Sequence, residues 1–495
     1  MNKFILAYDI GTSGVKASLY RTDGQLIDES TSYYKTYYDN HTGAEQDPND
    51  WWNGIIYATK ELDIKDTNKD IIAISFSGQE SGLVLVDKDG HVLRNSMIHC
   101  DMRAVRENSE ILQNVDDEAF FEITGHKASP SYTLQKFAWV KKNEPAIYHK
   151  TYKILNAKDY IIYKLTGQFI TDYTDASFTN MYDINLRAWS ARLCQIAGID
   201  MNKLPEIKPS TYIAGRISEA VYKETGIKKG TPIVLGAGDG QCASIGCGAI
   251  RPGKIYNSIG TSSWITVILD KPPEKCNMCL ETAAHPAGEW ANSGGTMQTA
   301  GASYDWAVNT LYGCITPDQI TEELMNTKAG SGGVIFLPYL NGERVPWWDN
   351  NARGTFVGIT NTTKRADMLR AVLEGVAYNL KIILDVARSY NKADEIIAFG
   401  GMTKSNTFCQ ILADVYGIPV VTLKNPGQIT SLGAAIIGGV AVGEYKDFDI
   451  AEKLCQRDKI YSPITENVNI YKKKTELLQK CYFALKNIFK EMSED

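Results

Sequence analysis

The sequence predicts an α/β protein made of two similar domains, and three observations carry that prediction. The chain has 495 residues, too many for one compact core. It writes Ile-Gly-Thr-Ser twice, in "DIGTSGVKASLY" at 9–20 and in "SIGTSSWITVIL" at 258–269, about half a chain apart and inside an apolar run each time. Each copy is followed, in the same order, by an apolar strand that ends in glycine: "DIIAISFSG" at 70–78 and "DEIIAFGG" at 394–401. A repeat this long is no solenoid unit. It reads as a duplicated domain, with halves 1–250 and 251–495 that meet at "IRPGK".

The first half opens with three short β-prone runs, "FILAYDI", "GVKASLY" and "QLIDEST", the last two separated by "RTDG" and its Asp-Gly turn. A helix follows in "EQDPNDWWNGIIYATKELD". Asp47 is its expected N-cap, Pro48 stands in its first turn, and Trp52, Ile55, Ile56 and Thr59 recur at helical spacing. "DIIAISFSG" has the continuous apolar content of a buried strand. "DYIIYKLTG" reads as a helix end stopped by Gly167. "TPIVLGAGD" is a buried strand, and "GQCASIGCG" starts a helix after it. In the second half "KIYNSIG" and "SSWITVIL" form a hairpin. "RADMLRAVLEGVAYNLKIILDVARSY" is a long amphipathic helix.

Composition excludes several classes of function. Hydrophobic residues make up 44% and charged residues 22%, as in ordinary globular proteins. A net charge of −6 argues against non-specific nucleic-acid binding and against an anionic membrane surface. No run approaches the length of a membrane span; "AAIIGGVAVG" at 434–443 is short and broken by glycine. The N-terminal apolar run "FILAY" ends before Asp9, too short for a signal peptide. The expectation is therefore a cytoplasmic protein whose ten cysteines are free thiols. Cys276 and Cys279 form one CxxC near His285, but a second ligand pair is missing, which weighs against zinc.

The repeated phrase has a chemical reading. Glycine in a tight turn lets the backbone approach a ligand, and Thr and Ser beside it offer hydroxyls and N–H groups to phosphate oxygens. One such turn is commonplace in hairpins. Two copies suggest two domains that each hold part of one polyphosphate. Asp9 could then orient Mg²⁺ through water, and Lys16 could add positive charge. Other nucleotide motifs fail. "GAIRPGKI" at 248–255 has Ile255 where a P-loop needs a hydroxyl, and "GAGDGQ" at 236–241 lacks the third Rossmann glycine. Asp239, a carboxylate at a strand end hemmed by glycines, suits either a general base for a hydroxyl nucleophile or a helix N-cap.

These residues resemble the FGGY carbohydrate kinases of the actin–hexokinase–Hsp70 superfamily, over nearly the whole chain. "SYTLQKFAWVKKN" at 131–143 is similar to the first family signature and "GTFVGITNTTKRADMLRAVLE" at 354–374 to the second. "LPYLNGERVPWWDNNARG", "AGASYDW" and "GGMTKSNTFCQILADVYGIPV" resemble further family blocks. The resemblance implies two ribonuclease-H-like domains with ATP and a sugar in the cleft between them. It implies a Mg²⁺-side role for Asp9 and phosphate contacts at Thr12, Ser13, Lys16, Gly260 and Thr261. It also implies a nucleotide contact at Gly301, an adenosine segment at Gly400, Gly401 and Asn406, and Asp239 as the base that takes the sugar proton. A homodimer is compatible with it.

The substrate is expected to be a small ketose or polyol, D-xylulose first. "GAEQDPNDWW" and "GQESGLVLVDKDG" most resemble xylulokinases, although those have Gln-Met-His-Gly where this chain has Gln79-Glu80-Ser81-Gly82. "HCDMRA" keeps Asp101 and Arg103 and resembles the autoinducer-2 kinase branch. Gln79, Glu80, Ser81, Asp101 and Asp239 are the expected sugar contacts, with Trp51 or Trp52 as a further wall. The alternatives are a kinase for autoinducer-2, gluconate or a tetrose or tetritol, and, in another class, an ATP-driven switch with no small substrate.

Overall fold

In the computed structural model the N-terminal strand, β1 (Lys3–Ile10), is buried along almost its whole length, which is why it reads as one apolar run. The structure describes residues 3–39, 42–62, 64, 70–273, 280–313 and 316–493. Cys276 and Cys279 lie outside them. β1 turns through Gly11–Ser13 into β2 (Gly14–Arg21), with Asp9 opposite Lys16, and β2 pairs antiparallel with β3 (Leu26–Tyr33). A Cβ on Gly14 would stand 2.6 Å from the Ser32 carbonyl oxygen, so only glycine starts β2.

Helix α1 (Pro48–Glu61) begins as expected, with Asp47 accepting the Asn49 N–H and Pro48 in the first turn. Its apolar face, with Trp51 and Ile55, packs on the sheet. β4 (Asp70–Gly78) runs parallel to β1. Helix α2 (Ala157–Thr166) ends at Gly167, which adopts φ 75°. Strands β5 (Ile213–Arg216), β6 (Pro232–Val234) and β7 (Ala237–Gly238) complete the first sheet, and helix α3 (Asp239–Gly246) follows directly.

The second half repeats this plan. β8 (Ile255–Ile259) and β9 (Ser263–Leu269) are the hairpin, and β10 (Glu281–Ala284) and β11 (Ala291–Met297) extend it. Helix α4 (Gly301–Leu311) follows, then the long α5 (Arg365–Tyr390). β12 (Ile396–Phe399), α6 (Asn406–Tyr416), β13 (Val420–Leu423), α7 (Ile429–Ala441) and β14 (Arg457–Tyr461) close the lobe.

The strand orders are β3-β2-β1-β4-β6-β5 and β10-β11-β9-β8-β12-β13-β14, with β7 paired to β4. In each lobe an antiparallel set, of three strands in the first and four in the second, is followed by two parallel strands and an antiparallel edge. The duplication read from two short phrases is thus a duplication of sheet topology.

One helix crosses that division. α7, from the second half, packs on β1 and β4 and shares a core with residues of both halves. From Leu432 to Gly439 it is apolar and buried on every side, as a helix enclosed by other elements must be, and no helix among the described residues is long and apolar enough to cross a membrane. α7 meets α3 with almost no spacing. A Cβ on Gly433 would stand 1.8 Å from the Cys242 carbonyl oxygen, and one on Gly246 would stand 1.9 Å from that of Ile429.

Candidate functional site

Strand register assembles the first lobe's side of the site. Asp9 lies opposite Ser77 in the β1–β4 pair, and Gly78 lies opposite both Ile10 and Gly238. The chain leaves these three parallel ends as the Gly11–Ser13 turn, as Gln79-Glu80-Ser81 and as Asp239. Open α/β sheets hold ligands at such carboxyl ends. In the second lobe Ser258 lies opposite Phe399, so the turn after β8 emerges beside Gly400 and Gly401.

Between the two sets of ends is a cavity of about 290 Å³. Thr12, Gln79, Glu80, Ser81 and Asp239 line it from one side; Ser262, Trp264, Thr266 and Arg344 line it from the other. Asp239 is the first residue of α3, and Gly238 is the cap. The N-cap reading of Asp239 is therefore off by one residue, because β7 carries the chain through Gly238 before the helix starts. One Asp239 oxygen accepts the Gly240 N–H at 2.7 Å. Burial, with the charge of Asp9 added, pushes its carboxyl up to about 7. That is the range in which a carboxylate serves as a base near neutral pH.

Glu80 is also held well above the ordinary carboxyl range, first by burial and then by Asp239, Asp175 and Asp172. Its Oε1 is buried without a hydrogen-bond partner among the described residues and lies against the Cα of Gly238. Ser81 adopts φ 58°; its hydroxyl donates to the Phe178 carbonyl at 3.0 Å, and its own carbonyl accepts from the buried Lys136 ammonium at 2.8 Å. Gln79 donates to Gln46 Oε1 at 2.9 Å, and Gln46 Nε2 donates to the Thr12 carbonyl at 2.7 Å. One buried amide thus ties the first turn to the Gln79 segment.

Two expected sugar contacts are not brought to the cavity. Asp101 is fully buried, and its carboxylate is taken by Arg103 at 2.6–3.1 Å and by the Ala44 N–H at 2.8 Å. An aspartate two residues before an arginine folds back on it. Neither Trp51 nor Trp52 lines the cavity. α1 turns both toward the sheet, and Trp51 reaches the site only by donating to Gln46 at 3.1 Å.

The other predicted residues fall into two groups. Asp9 accepts from Ser77 at 2.9 Å; burial raises its carboxyl, and Ser77 and Lys16 oppose that. Lys16 reaches across the cleft to the Gly427 carbonyl at 3.3 Å, and Ser13 is exposed. In the second lobe the Gly301 N–H donates to the Gly260 carbonyl at 3.0 Å, and Ala300 and Ala302 donate to that of Thr261. A Cβ on Gly301 would stand 2.5 Å from the Gly260 oxygen. Gly400, at φ 106°, packs as tightly on Ile259. Gly401 and Asn406 line a second cavity of about 720 Å³ with Tyr304, Met402 and Gln410. Asn406 accepts there from Tyr461 at 2.6 Å and Lys459 at 3.0 Å.

His99, Tyr132, Glu281 and Arg344 also line the first cavity, and motif reading did not single them out. Tyr132 donates to Glu281 at 2.9 Å. Burial pushes the His99 imidazole down to about 4, with Lys136 and Arg344 adding to it, so the ring is neutral. Tyr132 and Arg344 lie inside the quoted blocks "SYTLQK" and "NGERVPWW" and His99 inside "HCDMRA"; Glu281 has no motif around it.

The model of the FGGY carbohydrate kinase N-terminal domain matches residues 4–246, and that of the C-terminal domain matches 255–442. The chain belongs to the FGGY family of carbohydrate kinases. It is accordingly an ATP-dependent sugar phosphotransferase, and a switch without a sugar substrate has no place in the family. A xylulose kinase of Bacillus subtilis (strain 168) is 30% identical over 98% of both chains. A gluconokinase of the same strain is also 30% identical, over 95% of this chain and 94% of its own. Solved structures of a ligand-bound xylulose kinase and of a gluconate kinase, both from Lactobacillus acidophilus, superpose with TM-scores of 0.93 at 30% identity over 99% of this chain and all of theirs.

Proposed function

We propose that this FGGY kinase transfers the γ-phosphoryl group of ATP to a hydroxyl of a small ketose or polyol, D-xylulose first among candidates, to give D-xylulose 5-phosphate. The observation that carries the reading is the cavity in which Asp239, Glu80 and Gln79 of one lobe face Ser262 and Arg344 of the other. Asp239 takes the proton of the sugar hydroxyl as the bond to phosphorus forms. The turns at Thr12–Ser13 and Gly260–Thr261 hold phosphate oxygens, and Gly301, Gly400, Gly401 and Asn406 hold the nucleoside end, in the larger cavity. The two lobes divide near residue 250. Phosphoryl transfer needs this positioning and charge neutralisation more than covalent chemistry. Asp9 suits Mg²⁺ held through water: its carboxylate is partly buried and accepts from the Ser77 hydroxyl at 2.9 Å. The ion would neutralise phosphate charge there.

Gluconate is the second reading, and Arg344 favours it. Among the described residues it is the one Lys or Arg that lines the first cavity, and its Nε is held by Gln298 at 2.9 Å. A guanidinium at the mouth could pair with a substrate carboxylate. Glu80 and Asp239 at the inner end favour a neutral one. Autoinducer-2 and tetroses or tetritols complete the candidates.

A coupled ADP-release assay over these substrates is the test. The expected result is slow or shared use of D-xylulose, because Glu80 and Ser81 replace an apolar wall and a donor. Glu80→Met together with Ser81→His should then raise kcat/KM for D-xylulose relative to the best other substrate. Strong wild-type preference for D-xylulose, lowered by the swap, would contradict this account of selectivity.

The nucleotide side is tested separately. Thr261→Val removes a phosphate-facing hydroxyl, and Gly401→Trp fills the larger cavity. Each is expected to weaken ATP more than sugar, as read by calorimetry; unchanged ATP affinity in both would contradict the placement.

A further inference from the structure

Behind the cavity a buried lysine stands among three carboxylates. Lys158, near the start of α2, is fully buried, with its ammonium 3.1 Å from Asp159, 3.2 Å from Asp172 and 3.1 Å from Asp175. None of the four lines the cavity. The Lys158 side chain packs against Gly78, which pairs with Gly238. The cluster therefore sits beneath the two strand ends that release Glu80 and Asp239.

One hydrogen-bonded line leads from this cluster to the backbone of Gly238, the residue before Asp239. The hydroxyl of Thr174, itself fully buried, donates to Asp172 Oδ2 at 2.7 Å, and the N–H of Gly238 donates to that hydroxyl at 2.8 Å. Lys158 holds the other Asp172 oxygen, and Ser210 donates to the same oxygen as Thr174, at 2.7 Å. The Asp172 carboxylate is thus anchored on both oxygens. A hydroxyl that donates to a fixed carboxylate has its lone pairs aimed in one direction, here at Gly238. Gly238 is the cap of α3 and immediately precedes Asp239.

We propose that Thr174 is a positioning residue for phosphoryl transfer: its hydroxyl, oriented by Asp172, fixes Gly238 and through it the Asp239 carboxylate. The inference rests on the reading of Asp239 as the base. Displacement of a reacting group by about 1 Å can cost on the order of a hundredfold in rate, so a lost backbone anchor one residue away should be visible in kcat.

Thr174→Val keeps the shape and removes the hydroxyl; Thr174→Ser keeps the hydroxyl. The valine variant is expected to lose about tenfold or more in kcat with unchanged KM for sugar and ATP, and the serine variant to keep wild-type kcat. Thr174→Cys, a weaker acceptor of similar size, should fall between them and carries the test should valine not fold. A merely structural threonine would lower the melting temperature and leave the kcat of the folded enzyme alone. Wild-type kcat in the folded valine or cysteine variant, or a serine variant as impaired as valine, would overturn the proposal. Asp239→Asn assayed in parallel separates the two readings. If it loses activity while valine at 174 does not, only the positioning role fails; if it keeps activity, the base assignment fails.

Discussion

Asp239→Asn is expected to lower kcat by at least about a hundredfold while sugar and ATP bind within a small factor of wild type. Asparagine keeps the size and can still accept the Gly240 N–H, but it cannot take the hydroxyl proton. Stability should survive. The folded carboxyl titrates at about 7, above its ordinary 3.8. Such a group favours the fold while protonated, and that contribution is lost as pH rises through about 7. At pH 8 the wild type therefore carries a disfavoured buried charge that the asparagine variant lacks, and the variant should melt no lower. The same shift gives kcat/KM of the wild type an acid limb near pH 7, falling as pH falls, because protonated Asp239 is no base. A flat profile from pH 6 to 8, or an asparagine variant with near wild-type kcat, would remove Asp239 from the chemistry.

Gly433→Ala is expected to be strongly destabilising. Its methyl group would stand 1.8 Å from the Cys242 carbonyl oxygen, and backbone cannot turn aside as a flexible side chain can. The two helices must separate, and α3 carries Asp239 at its first position. Overpacking costs about 1–3 kcal/mol where side chains adjust; against backbone the loss should be about 3 kcal/mol or more, with activity falling alongside. The urea midpoint reads this. An unshifted midpoint would mean that α3 and α7 do not meet at these glycines.

Much of this fold is written locally. The paired hairpins follow from apolar runs on either side of Ile-Gly-Thr-Ser, and α1 starts where Asp47 and Pro48 put it. Strand ends at Gly78 and Gly238 are visible as apolar runs stopped by glycine, so the position of Asp239 at a strand end is legible in the sequence. What was illegible depends on contacts between distant segments. Nothing local says that "AAIIGGVAVG" from the second half covers the first sheet, or that Trp51 turns inward and acts through Gln46. Asp101 looks like a polar contact in sequence, but Arg103 takes it in three dimensions. Trp264 and Glu281 line the cavity because of the face on which their strands present them, and no motif marks that. The Lys158 cluster draws its charges from separate segments, and only the fold brings them under Gly238.

The interlobe cavity is proposed to phosphorylate a small sugar with Asp239 as base. The most direct measurement is ADP and sugar phosphate counted together, with the best substrate of the panel, for wild type and for Asp239→Asn. The wild type is expected to form one ADP per sugar phosphate, and the variant to form both at least about a hundredfold more slowly. ADP release that needs no sugar and is untouched by the substitution would contradict it.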